Sequence, residues 1–168
     1  KGNRPVILAS RILSNAQALA DELGSLATAA ETADAIRQAD IVVLSVWFST
    51  IQEFMTNYAA ELKDKIIIDP SNPIAADENG GFKKIIGEDE SAGEIIASLL
   101  PEGAKLAKAL GTLGAESLES AAFQTPERVV LFYATDDAGI DADVEQLILD
   151  SGFEPVRVGG IDQSICIE

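Results

Sequence analysis

The stretch Ile41-Val42-Val43-Leu44-Ser45-Val46 decides the fold. It is rich in β-branched side chains and apolar on both faces. A strand with one wet face alternates polar and apolar residues. A strand that is apolar on both faces fits a parallel sheet with helices packed on either side. Residues 41–46 are therefore expected to form a buried strand inside such a sheet.

Working outward, the same alternation repeats. Downstream, Ser49-Thr50 can cap a helix running to about Leu62, with Ile51, Phe54, Met55 and Tyr58 as its buried stripe. Lys65-Ile66-Ile67-Ile68-Asp69 is a second strand, closed by Pro70 and Pro73. Upstream, Val6-Ile7-Leu8-Ala9 reads as a strand, and Ser14-Asn15 offers an N-cap to a helix carrying Ala16, Leu19, Ala20 and Leu23. Gly24 ends that helix, a short strand covers residues 25–28, and residues 32–38 make a brief helix.

Residues 74–90 read as a surface loop, on account of Gly80-Gly81 and the acidic run Glu88-Asp89-Glu90. Helices follow at 91–100, 116–122 and 143–151, with strands at 104–110, 128–134 and 154–158. Strand–helix alternation of this kind belongs to the α/β class, a mostly parallel sheet with helices on both faces. In such open sheets a ligand sits beyond the carboxyl ends of the strands. The polar segments after the strands are then the ones that carry function.

Composition narrows the chemistry. The chain has 168 residues, enough for one domain, here residues 1–168. Its formal charge is −16 with no histidine, a surface that repels nucleic-acid phosphates. The single cysteine, Cys166, cannot form an internal disulfide, which suits a reducing cytoplasm. Without histidine, Ser-His-Asp and Cys-His catalysis are excluded within the chain, as are thiolate- or imidazole-based zinc sites. The acidic runs at 88–90 and 136–137 lack the spacing of a known cation loop, and no metal site is expected. No apolar run approaches the ~20 residues of a membrane helix.

Four segments, in order and spacing, resemble the NADP oxidoreductase family that uses the deazaflavin coenzyme F420. They are LASR at residues 8–11, IVVLSVWFSTI at 41–51, KIIIDPSNP at 65–73 and AKALGTLGAESL at 107–118. The DPSNP segment and the pattern Lys108-Ala109-x-x-Thr112 are the most specific. The resemblance implies a Rossmann domain that binds NADP and passes a hydride to or from a deazaflavin, a flavin or another small molecule. Homodimerisation is left open. It also implies a strand, a G-x-G-x-x-G turn and a helix ahead of the strand at Val6. The run Lys1-Gly2-Asn3-Arg4-Pro5 looks like the connection after that helix, so the domain is expected to be incomplete at its N-terminal side. Without the glycine turn, which meets the pyrophosphate, the lone chain is expected to bind dinucleotide poorly. The rival reading is a non-catalytic remnant of the fold that senses a nucleotide or dimerises.

The resemblance also proposes site residues, each with a plainer alternative. Ser10 and Arg11 stand where NAD-binding proteins of this class carry an acid for the ribose 2′-hydroxyl. A hydroxyl and a guanidinium instead suit a 2′-phosphate, although a solvated arginine after a strand is the plain alternative. Val46, Trp47 and Phe48 would wall the cleft near the adenosine or pyrophosphate, or simply pack. Ser71, Asn72 and Pro73 would lie near the nicotinamide and its ribose, or form a rigid turn only. Lys108 and Thr112 follow the same logic on a later strand. Leu110-Gly111 replaces the Phe-Asn pair more often found in the family.

Overall fold

Runs of isoleucine, valine and alanine set the strands, and each is separated from the next by a helix or a hairpin. The computed structural model describes residues 4–78 and 80–168. The reading of residues 1–5 as a connection therefore falls partly outside the described residues, since Lys1, Gly2 and Asn3 are not among them.

The first part of the chain gives β1 (Val6–Leu8), α1 (Leu13–Leu23), β2 (Ala27–Ala29), α2 (Thr32–Gln38) and β3 (Ile41–Val43). Next come α3 (Phe48–Asn57), α4 (Ala59–Leu62), β4 (Ile66–Asp69) and the strands β5 (Ile74–Ala76) and β6 (Phe82–Lys84). The last part holds α5 (Ala92–Ala97), β7 (Lys105–Ala109), α6 (Ala115–Ala121), β8 (Val130–Ala134), α7 (Asp141–Asp150) and β9 (Glu154–Gly159). A final 3-10 segment spans Ile161–Ile167. No described helix is long and apolar enough to cross a membrane.

The main sheet has the order β3-β4-β7-β8-β9. It is parallel except between β7 and β8, which run antiparallel. The carboxyl ends of β3, β4 and β7 thus share one edge. A separate parallel pair joins β1 to β2. Successive residues of β4 show why the strands are apolar on both faces. Ile67 enters a core with Ile36, Leu44, Ile51, Met55, Leu62, Ile96, Leu106 and Ile161. Ile68 enters the opposite core with Ala107, Ala109, Leu131, Tyr133, Val144, Ile148 and Phe153. Each buried Ile, Leu, Val, Met or Phe among them contributes about 1.5–3 kcal/mol by leaving water.

The structure corrects several expectations. Residues 41–46 are not an interior strand. β3 covers three residues at the edge of the five-stranded sheet; Leu44 is buried, but Val43 is 42% and Val46 41% exposed. The side of β3 away from β4 pairs with no described strand, and a strand needs a neighbour on each side to be buried. The capping residues also shift. α1 begins at Leu13, so Ser14 and Asn15 lie inside it, and Ser10 Oγ accepts from the Ile12 N–H at 3.4 Å. α3 begins at Phe48, and the Thr50 hydroxyl donates back to the Trp47 carbonyl at 2.8 Å. The expected single helix to Leu62 breaks at Tyr58 into α3 and α4.

Residues 74–90 are not all loop. β5 and β6 form an antiparallel hairpin anchored by the Ile85 N–H on the Pro73 carbonyl at 2.8 Å. At the other expected helix, Ser91 caps α5 by accepting from the Glu94 N–H at 3.0 Å, and the helix ends at Ala97.

Candidate cofactor site

The pairing of β4 with β7 ends on Asp69 and Lys108, which stand opposite each other in register. Both side chains are buried, at 0% and 1% exposure, and Lys108 Nζ lies 2.9 Å from Asp69 Oδ2. An apolar sheet interior is a costly place for two charges unless each is paired and hydrogen-bonded. Here both conditions are met by the loop that follows β4. Lys108 Nζ also donates to the Ser71 carbonyl, and Asp69 Oδ1 accepts from the Ser71 N–H at 2.9 Å. Ser71 is thereby held at both its backbone polar groups.

The loop after β7 closes against the same segment. Leu110 turns the chain with φ of 66°. That brings Gly111 so close that a Cβ on it would stand 2.6 Å from the Pro70 carbonyl oxygen. Asn72 Nδ2 donates to the Gly111 carbonyl at 3.0 Å. A carbonyl only accepts, so this contact fixes which end of the carboxamide faces it. Asn72 Oδ1 then points elsewhere.

Two polar atoms of this cluster, Ser71 Oγ and Asn72 Oδ1, are buried without a hydrogen-bond partner among the described residues. An unpaired buried polar atom costs about 1–3 kcal/mol. Ser71 Oγ can donate or accept, and Asn72 Oδ1 can only accept. Together they fit a ligand group that brings its own N–H or O–H donors, such as a ribose hydroxyl or a carboxamide.

The other residues singled out in the sequence fall into separate places. Pro73 is buried directly ahead of β5, and Thr112 is exposed at the turn toward α6. Trp47 is 65% exposed at the start of α3, while Phe48 packs on the first core. Val46 is held by its N–H on the Leu44 carbonyl at 2.8 Å. Ser10 and Arg11 follow β1 in the two-stranded sheet, and no hydrogen bond or ion pair among the described residues links them to the Asp69–Lys108 cluster. Arg11 is exposed and has no partner among the described residues. Other basic groups are engaged: Arg4 with Asp150, Arg37 with Asp34 and Glu61, Lys105 with Asp137, and Arg157 with Asp141. In a chain of charge −16, a guanidinium left free beside a strand end is suited to an anion.

Asp69 and Gly111 are the two residues of this cluster that sequence reasoning did not propose. The signal for Asp69 was present: a lone acid ending one apolar strand and a lone lysine inside another. Their direct opposition is a property of sheet register. The signal for Gly111 was its place two residues beyond the end of an apolar strand, but only the close approach of Pro70 gives it a reason.

Comparison with known proteins agrees with this fold. The family described as NADP oxidoreductase, coenzyme F420-dependent, matches residues 1–73. No curated protein matches the chain. Among solved structures, a hypothetical protein from Sinorhizobium meliloti is 31% identical, with a TM-score of 0.80 over 94% of this chain and 74% of that one. A candidate F420-dependent NADP-reductase from Arthrobacter sp. FB24 is 22% identical, with a TM-score of 0.81 over 98% of this chain and 78% of that one. A pyrroline-5-carboxylate reductase from Coxiella burnetii shares the fold at 12% identity and a TM-score of 0.62, over 96% of this chain and 51% of that one. The solved structures share the Rossmann-type α/β fold, and the match over residues 1–73 leads to one conclusion: this chain belongs to the family of coenzyme F420-dependent NADP oxidoreductases.

Proposed function

We propose that this protein binds NADP(H) along the carboxyl edge of β1, β3, β4 and β7 and transfers a hydride between it and a small planar acceptor, a deazaflavin or a flavin. The observation that carries the reading is the pair of buried, unpartnered polar atoms, Ser71 Oγ and Asn72 Oδ1, at that edge. They would hold the nicotinamide end, through its carboxamide or ribose. Arg11, with Ser10 beside it, would grip the 2′-phosphate. Val46, Trp47 and Phe48 would line the stretch between, with Pro73 and Thr112 flanking the nicotinamide end.

The bound nicotinamide supplies the hydride chemistry. The chain's own residues supply orientation, and hydride transfer needs positioning more than acid–base groups. The lack of histidine is therefore no obstacle. The acceptor is a small molecule and not a nucleic acid, given the charge of −16. A cytoplasmic setting accords with the free Cys166.

The reading includes a completed sheet. β1 pairs only with β2, and β3 only with β4, among the described strands. One parallel strand bonded to both would join the two sheets into one and cover part of Val6 and Val43, which stand 41% and 42% exposed. Such a strand, followed by a glycine-rich turn and a helix, would also bring donors for the pyrophosphate.

The experiment is direct. Full-length protein is titrated with NADPH and NADH, and NADPH oxidation is then followed with a deazaflavin, with FMN and without acceptor. Binding of NADPH with acceptor-dependent oxidation supports the enzyme. Binding without oxidation by any acceptor favours the nucleotide-sensing alternative, and no binding removes both.

A further inference from the structure

We propose that Asp69 and Lys108 form a positioning pair, which sets the direction of Ser71 Oγ and Asn72 Oδ1 without touching the ligand. This rests on the reading of Ser71 and Asn72 as ligand contacts.

The ion pair does something that apolar side chains could not. A buried ion pair is seldom a gain over well-packed apolar residues of similar volume, because desolvation offsets the attraction. Stability alone therefore gives little reason for an acid and a lysine at the ends of two central strands. What they do uniquely is hold Ser71. Asp69 Oδ1 takes its N–H at 2.9 Å, and Lys108 Nζ, 2.9 Å from Asp69 Oδ2, donates to its carbonyl. The peptide on each side of Ser71 is thus fixed in rotation by a group at a strand end. A strand end is a rigid base.

The next residue is then held from the other loop, by the 3.0 Å bond from Asn72 Nδ2 to the Gly111 carbonyl. The outcome is one buried hydroxyl and one buried carbonyl oxygen that are free of partners among the described residues, on a backbone held at Ser71 and a side chain held at Asn72. Lys108 itself, at 1% exposure with its ammonium bonded to Asp69 and Ser71, stands behind the ligand surface. Its role is positioning rather than contact.

The test removes the pair while sparing the packing. In the full-length protein, Asp69→Leu with Lys108→Met replaces both charges by apolar side chains of similar size. NADPH affinity is expected to fall by about 10-fold or more, since small misplacements of positioning groups carry losses of that order. The thermal midpoint should fall as well, because the buried Ser71 N–H and carbonyl lose their partners, so affinity alone does not decide the matter. A thermodynamic cycle with Ser71→Ala separates positioning from a general defect: Ser71→Ala weakens NADPH binding in the parent but has little further effect in the double variant. Equal losses from Ser71→Ala in both backgrounds would overturn the proposal.

Side-chain amide exchange of Asn72, read by NMR without any ligand, gives a second readout. Its protection should drop in the double variant while the amides of β4 and β7 stay protected, and unchanged protection would overturn the proposal. Should the parent bind no NADPH, the reading of the site as a nicotinamide site fails, and the exchange measurement still decides whether the pair holds the loop. Should the double variant not fold, Asp69→Asn with Lys108→Met carries the same two measurements, because it removes both charges together, keeps an acceptor for the Ser71 N–H and takes away the donor to the Ser71 carbonyl.

Discussion

Gly111 and Pro70 touch backbone to backbone: a Cβ on Gly111 would stand 2.6 Å from the Pro70 carbonyl oxygen and 3.1 Å from its carbon. Neither atom belongs to a side chain that could swing away. Gly111→Ala must therefore push the loop after β7 off the loop after β4. Overpacking of this kind costs about 1–3 kcal/mol. The variant should lower the urea midpoint by a corresponding amount and break the bond from Asn72 to the Gly111 carbonyl. Unchanged stability together with unchanged NADPH binding would show that the two loops are not rigidly joined.

Lys108→Met alone should be far worse than the paired replacement. It leaves the Asp69 carboxylate buried with no counter-charge, a defect of about 3–5 kcal/mol. Chemical denaturation at neutral pH should show the single variant to be the less stable of the two. If the single and double variants unfold at the same denaturant concentration, the two residues are not energetically coupled.

Arg11→Ala is expected to weaken NADPH binding by ~1–3 kcal/mol, the range for losing a charge-assisted hydrogen bond, while NADH binding changes little. The reason is that Arg11 is exposed and unpaired among the described residues, in contrast to most other basic groups. Parallel titrations with the two dinucleotides check it. Equal losses for both would take Arg11 away from the 2′-phosphate.

The Arg4–Asp150 contact ties the entry to β1 to the end of α7. The Arg4 guanidinium, then Gln146, holds the Asp150 carboxyl below its ordinary value of 3.8. A depressed folded-state value means that the contribution is present above the unfolded value. It is lost as pH falls through the folded one. Asp150→Asn should therefore be less stable than the parent at neutral pH by a small margin, since both partners are solvent-exposed. That margin should close as the solution is acidified below the ordinary carboxylate range. Denaturant midpoints measured across that range decide it; a margin that stays constant into acid would remove Asp150 from the linkage.

Much of the fold was legible in the sequence because the signals are local. The runs at 65–69 and 154–158 became β4 and β9 almost residue for residue, and residues 32–38 became α2 without change. Period-two alternation between Ile67 and Ile68 follows from strand geometry alone, so a sheet with two covered faces could be inferred before any contact was known. The four polar segments after the strands were likewise readable, and with them the family.

Tertiary structure decided the rest, because those features depend on residues far apart in the chain. Nothing near Ile41 says whether a neighbour lies on each side of it, so an apolar run became an edge strand with Val43 exposed. Residues 74–90 were rich in turn signals, yet Ile74–Ala76 and Phe82–Lys84 found each other and paired. Nothing near Lys108 in the chain says that its ammonium meets Asp69, 39 residues away, and the Ser71 carbonyl; strand register set that pairing. Local sequence set which residue types stand at the strand ends, since period and chain chemistry dictate that much. Which of them are buried and paired with one another, as Asp69 is with Lys108, was settled only when β4 and β7 came into register, because burial and pairing are properties of the sheet and not of either strand.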